Sequence, residues 1–376
     1  MELYVLDRNL DVLGMVDAYN SVSHLRKYYD VDTLSLQCFA TNDHCKLLRK
    51  GNILVKSTDV SQGFVIVQRE GEDKNGDDEN LSIEAVCVTT YLSRRIIWER
   101  MIIQDTAEQV MKNLVSTCCI HTDADRKIPL LEIGPTQKLG KRIHYQVSYK
   151  NLLEELKTLS EGNELSFVVA LDIPNKKLLF QVWEGKDRSL NQNTLPPCVF
   201  KKEFENIIEQ NFVESYSDFK NIALVAGAGE GSERKRITVG GGSGLDRFEL
   251  FVDARDLQDT KTEEVTNSDG EKEEKEVPIP EEEYKAMLRE RGRNKLAECK
   301  EIFTFDSKIN IQGNLVYKKD FDLGDIITAI SEKYGMAVQA RITEIEEIYD
   351  TNGFSVHATL GNNIPTLIDK IKKTVG

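Results

Sequence analysis

Apolar residues along positions 1–104 recur in short runs separated by polar breaks. Met1–Leu6, Val12–Tyr19, Asp32–Phe39, Asn52–Lys56, Gly63–Gln68 and Leu81–Thr90 each mix β-branched and apolar residues with partial alternation. Period-two alternation marks a strand with one buried face. Breaks fall at Asp7–Asn9, at Lys50–Asn52 and at Gly71–Asn80, the last reading GEDKNGDDEN. That segment predicts a polar hairpin tip between two strong strands. The whole stretch predicts an antiparallel sheet or small barrel.

The period then lengthens. Asp105 or Thr106 can cap a helix to about Cys118, with Ala107, Val110, Met111, Leu114 and Val115 on one face. A second helix is predicted over Tyr149–Leu159, capped by Ser148, with Leu152, Leu153, Leu156 and Leu159 turned inward. Strands at Leu165–Asp172 and Lys177–Glu184 follow, so residues 105–195 read as an α+β domain.

Strands return at Val199–Glu203, Phe212–Tyr216, Asn221–Ala226, Arg236–Val239 and Arg247–Ala254. Asp259–Glu276 is charged with almost no apolar residues and predicts a solvated, mobile loop. Glu281–Lys300 places acids early and bases late, which suits the helix dipole. Further strands are predicted at Glu301–Asn310, Asn314–Lys318, Ile326–Ile330, Met336–Ile348 and Phe354–Leu360. The run ARITEIEEIYD spaces Ile342, Ile345 and Ile348 as a helix would. It reads as strand because it continues from Ala337 and Gly353 opens a hairpin partner. Pro365–Lys373 closes as a short amphipathic helix. The expected division is 1–104 as a β-barrel-like domain and 105–195 as α+β. Segments 196–258 and 301–376 form a second β-rich region, with 259–300 as an acidic insertion plus helix.

Composition narrows the function. The chain has 376 residues, 40% hydrophobic and 30% charged, with 49 Lys and Arg against 63 Asp and Glu, for a net charge of -14. Such a charge disfavours general binding to DNA or anionic membranes. The start, MELYVLDRNLDVLG, lacks a basic region followed by an apolar run. No apolar stretch approaches the roughly 20 residues of a membrane helix. A cytosolic origin is expected. Seven cysteines, irregularly spaced, predict free and mostly buried thiols.

Chemical motifs are thin. Asn221–Gly231, NIALVAGAGEG, runs a strand into glycines as a dinucleotide-binding turn does. Its spacing is GxGxG, and the following SERKRITVGGG leaves no room for the helix that would hold a pyrophosphate. A glycine-bearing hairpin with a basic tip at Arg234, Lys235 and Arg236 is expected instead. Cys118, Cys119 and His121 are close in sequence but would point apart, and no CxxC or HExxH occurs. Asp253, Arg255 and Asp256 read as a strand-end ion pair or turn cap. Trp98 and Trp183 are single, in strand-like contexts, and read as core. No catalytic, cofactor or metal residue is assigned, and no cofactor is expected.

Longer segments carry a resemblance. RSLNQNTLPPCVFKKEFENI with KNIALVAGAGEGSERKRITVGGGSGLDRFELFVDARDL, and DFDLGDIITAISEKYGMAVQARITEIEEIYDTNGFSVHATLGN, are similar to the Gp37-like tail proteins of siphophages. SVSHLRKYYDVDTLSLQCF and VCVTTYLSRRII look similar as well. The resemblance implies a phage baseplate-hub fold: α+β, β-rich, with two small β-barrel-like domains and peripheral α+β domains. It implies a non-enzymatic homotrimer at the virion tail tip that closes or extends the tail tube. Its implied partners are distal tail and tail-tube proteins, tape-measure protein and tip or receptor-binding proteins, with DNA only in transit. The hairpin arms at Gly71–Asn80 and Gly227–Gly244 are the expected subunit contacts. The family often continues into a peptidase or receptor-binding extension, which is not expected here. The competing readings are a tail-associated cell-wall hydrolase and a host-surface binding module.

Overall fold

A computed structural model describes residues 1–72, 80–266 and 272–361. The N-terminal strands are β1 (Leu3–Leu6), β2 (Val12–Val16), β3 (Ser21–Lys27), β4 (Thr33–Phe39), β5 (Ile53–Lys56), β6 (Asp59–Glu72) and β7 (Asn80–Cys87). A short helix α1 (Asn42–Leu47) joins β4 to β5. The middle part holds β8 (Met101–Thr106), α2 (Ala107–Val115), β9 (Leu131–Ile133), β10 (Arg142–Val147), α3 (Leu152–Asn163), β11 (Ser166–Asp172) and β12 (Lys177–Trp183). Then come β13 (Val199–Lys201), β14 (Ile207–Ser215), β15 (Ile222–Ala226), β16 (Arg236–Gly240), β17 (Glu249–Asp253), β18 (Thr260–Thr266), β19 (Lys272–Pro278) and α4 (Glu281–Ala297). The last strands are β20 (Ile302–Ile309), β21 (Ile326–Ser331), β22 (Met336–Asp350) and β23 (Gly353–Gly361).

One 13-stranded sheet joins both β-rich regions, in the order β14-β20-β23-β22-β3-β4-β7-β6-β5-β1-β2, with β21 pairing β22 and β13 pairing β21. Alternation drives its inner face: on β7, Leu81, Ile83, Ala85 and Cys87 are buried. In the C-terminal set, Phe200 of β13 and Ile207 of β14 lie in the same core as Phe305, Ile327, Ile345 and Val356. Side chains from both end strands meet only if the six strands wrap around that core. The C-terminal set therefore curls about its core, but neither β region closes among the described residues, because β2 and β14 end the main hydrogen-bonded path and β13 ends its branch through β21.

The long strand β22 is the hinge of the design. Its register shifts between Ile342 and Glu344. A bulge absorbs one residue, so Ile342 and Ile345, three apart, both reach the core. This resolves the helix-like spacing of ARITEIEEIYD. Parity then carries Glu347 inward with Ile345.

Several expectations change. The described residues of Asp259–Glu276 are not a loop: β18 and β19 form an antiparallel ribbon, pairing Thr260 with Pro278 through Thr266 with Lys272, and residues 267–271 lie outside the described residues. Its Thr and Val content and the Lys272–Glu264 pair at 2.7 Å offset the charge repulsion that the composition emphasised. Asn314–Lys318 is irregular, with one isolated bridge between Tyr317 and Phe321. The cap of α3 is Asn151, which accepts from Leu153 and Glu154, not Ser148. Thr106 caps α2 as expected, and a π-helical turn, Ser116–Ile120, continues it. Ser21–Lys27, Met101–Thr106 and Arg142–Val147 are strands that the alternation pattern did not mark. Residues 73–79 of the first hairpin tip and the segment Pro365–Lys373 lie outside the described residues.

Candidate functional site

The densest chemistry lies where β3 meets β22. Glu347 sits directly across from His24. Lys56 of β5 donates to Glu347 Oε2 at 2.5 Å and approaches His24 Nδ1 at 2.6 Å. All three side chains are fully buried. Glu347 Oε1 accepts from Tyr317 Oη at 2.8 Å and pairs with Lys318 at 2.9 Å. Arg26 donates to Tyr317 Oη at 2.6 Å and to Asp322 at 2.5 Å. The ammonium of Lys56 can only donate, so His24 Nδ1 accepts and Nε2 carries the proton. That nitrogen has no hydrogen-bond partner and faces Asp32 Oδ2 at 3.5 Å.

Burial works against the Glu347 charge, but the Lys56 and Lys318 charges and the Lys56 hydrogen bond hold its carboxyl well below the usual range. Burial pushes Lys56 down, against the pull of Glu347. Asp, His, Lys and Glu in line resemble a proton relay. Yet a polar cavity of about 230 Å³ beside the seam touches only its rim, at Arg26, Asp32 and Asp322, and not Lys56, His24 or Glu347. The chain of contacts links two β regions through four elements. What it does is hold β22 in register against β3.

Other sequence-marked residues are structural. β15 runs into Gly227, but no α-helix follows: after a single 3-10 turn at Gly231–Glu233, β16 returns antiparallel. A Cβ on Gly227 would come 2.4 Å from Tyr284 Oη, and that hydroxyl accepts from Ala228 N at 2.8 Å. Gly227 admits α4, not a phosphate. Arg234 is no free tip, since it folds back onto Asp253 and the carbonyls of Ala226 and Gly227. Asp253 also binds Arg255, and Asp256 holds Arg291 with two bonds of 3.0 and 2.9 Å. Hydrogen bonds from Arg255 and Arg234 bring the Asp253 carboxyl to about 2. Cys118 and Cys119 are buried while His121 is exposed. Burial pushes the Cys119 thiol up to about 12. Trp183 packs edge-on against Tyr28 at 5.0 Å. Trp98 is a correction: it lies outside any strand and is 57% exposed, because its neighbour Ile97 takes the buried position.

Assembly surfaces are the remaining candidates. The path from β2 to β14 leaves a strand edge open at each end, and both edges carry exposed apolar residues: Val12, Leu13 and Met15 on β2, and Ile208 and Val213 on β14. Monomeric proteins usually blunt such edges. Leu245, after the glycines of 240–244, is 97% exposed. The alternation signal that marks strands does not say which strand ends a sheet, so neither edge was legible in advance.

Comparison places this architecture. The family model described as "Siphovirus ReqiPepy6 Gp37-like protein" matches residues 2–362. The prophage tail protein gp18 from Listeria monocytogenes EGD-e shares the fold, with TM-score 0.58 and 12% identity, covering 100% of this chain and 98% of that one. The tail protein from Neisseria meningitidis MC58 gives 0.55 at 11% identity, covering 96% and 97%. The 43 kDa tail protein of prophage MuSo2 from Shewanella oneidensis gives 0.54 at 11%, covering 96% and 98%. No curated protein matches the chain in sequence.

Proposed function

We propose, from the premise that the chain belongs to the Siphovirus ReqiPepy6 Gp37-like family, that it is the homotrimeric hub of a phage tail tip. It is a phage-tail-type structural protein; the ring, its place at the tip and its passage for DNA are the proposal. In this reading two barrel-like β regions per subunit give a pseudo-sixfold torus of three chains. The torus meets the tail tube on one side and tip proteins on the other.

The observation that carries it is the continuous sheet with both ends open and apolar. Two different sticky edges on one chain suit head-to-tail contacts, which close into a ring when the rotation allows. Edge strands join subunits by adding strands across an interface. The sealed seam supports a mechanical role: each charge in it has a partner, and the group most like a relay is shut away from solvent. On this reading the chain performs no catalysis, and its domains divide near residues 104 and 195, with the inserted ribbon and α4 outside the ring.

Sedimentation and particle imaging of the purified chain test this. The expected result is a trimer with a central pore. A monomer at all concentrations overturns it. Clearing of cell-wall suspensions, lost on carboxylate substitution, would favour the hydrolase instead.

A further inference from the structure

Around Trp98 an acidic molecule turns locally basic. Arg126 stacks over the Trp98 ring at 3.9 Å and donates to Ile96 O at 2.7 Å. Arg95 donates to Arg126 O at 2.6 Å and reaches Lys127 O at 3.4 Å. Tyr149 N donates to Ile97 O at 2.7 Å, and Ile97 N to Lys150 O at 2.9 Å, so Tyr149 and Lys150 lie beside the same strip. Tyr149 is 78% exposed and is held at φ 55°, in the left-handed region. Arg94 covers the Tyr91 ring at 4.4 Å, and Arg8 is close enough to act on the same phenol. Among the described residues, Arg94, Arg95, Arg126, Lys127 and Lys150 form no ion pair.

Exposed Trp, Tyr and Arg in one place is the make-up of a binding hot spot. The chain also carries a feature of opposite sign. In Asp259–Glu276 eight acids face three bases. The strands of this ribbon pair only with each other. Glu263, Glu264, Glu274 and Glu276 are exposed. A lone two-stranded ribbon is marginal in water, so docking against a second surface would stabilise it. Seven residues per strand give it a reach of about 20 Å. Its root lies beside the basic strip, where Glu276 approaches Arg100 at 3.8 Å.

We infer that the strip centred on Trp98 binds the acidic β18–β19 ribbon of a second copy of this chain. A ring-closing contact needs two unlike, complementary surfaces on one chain, and these are such a pair. Salt weakens the contact, since its charges are exposed. The inference rests on the self-assembling reading above and names one of its contacts.

Charge reversal tests it in the full chain. One variant carries Arg94→Glu, Lys127→Glu and Lys150→Glu; the other carries Glu263→Lys and Glu274→Lys. Each alone is expected to weaken self-association at least tenfold by sedimentation, with an unchanged urea midpoint. Combining all five reversals in one chain restores assembly, because the strip and the ribbon have then exchanged sign and every junction of the ring is again complementary. Assembly of both variants like the parent overturns this contact and leaves the ring standing. Loss in both without recovery in the combined chain also overturns it. A parent chain that never associates overturns the ring and the contact together. Labelled duplex DNA, or vesicles of anionic lipid, bound through the strip without any effect on assembly would assign it to another partner and overturn the inference.

Discussion

The β3–β22 seam and the strip around Trp98 treat charge in opposite ways. At the seam, Lys56, Glu347 and His24 are fully buried and engage one another across two β regions. On the strip, cations lie at the surface, hydrogen-bond to backbone carbonyls and, for Arg126, to the Thr122 hydroxyl, or stack on rings. Buried charge is costly unless every partner is present, so it specifies one register. Surface charge costs little inside the monomer and stays available to another molecule. The first arrangement serves folding; the second is the one we propose for assembly.

The sharpest way to break this contrast is Glu347→Ala. It leaves Lys56 and Lys318 facing each other without an anion, and a loss of about 3–5 kcal/mol is expected in urea unfolding. A loss near zero would mean that the seam does not hold the two regions together. Joint replacement by Lys56→Met and Glu347→Leu should recover most of that loss, to within about 1–2 kcal/mol of the parent, because no lone charge then remains buried.

Acid sharpens the same point. Glu347 has its folded value depressed, so the unfolded chain binds the extra proton. Its contribution is complete well above the unfolded value of roughly 4.3 and is lost progressively as the pH falls through that value toward the folded one. Glu347→Gln should therefore flatten the acid limb of stability against pH. A limb as steep as that of the parent would place the proton uptake elsewhere.

The smallest effects belong to the surface. Trp98→Ala should change unfolding by less than about 1 kcal/mol, the scale of an exposed cation–π contact. It should nevertheless weaken self-association. Leu13→Lys on β2 should leave unfolding within about 0.5 kcal/mol and reduce assembly, as expected where a surface residue matters only at an interface. A large destabilisation in either would show that the residue serves the monomer.

Much of the fold was readable from local pattern. The strands at Leu3–Leu6, Thr33–Phe39, Lys177–Trp183 and Gly353–Gly361, and the helix at Glu281–Ala297, follow from alternation and end signals. The acidic ribbon escaped because charged composition masks a strand whose stability comes from cross-strand pairs. Ser21–Lys27 escaped because His24 and Arg26 occupy inward positions, where pattern reading expects apolar residues. The candidate site was the least legible part. Glu347 looks like one acid among several in ITEIEEIYD, and Trp98 looks like core.

The amino-acid order by itself determined the β-rich α+β class, the cap at Thr106, the antiparallel return after Gly227 and the acidic charge balance. Each depends on neighbours within a few residues. Only tertiary structure decided that the two β regions share one sheet, that a bulge near Thr343 turns Glu347 inward, and that strands 2 and 14 are left at the edges. It also gathered Arg94, Trp98, Arg126 and Tyr149 into one strip. Those outcomes depend on pairings between residues up to hundreds of positions apart, such as His24 with Glu347, and no local period encodes them.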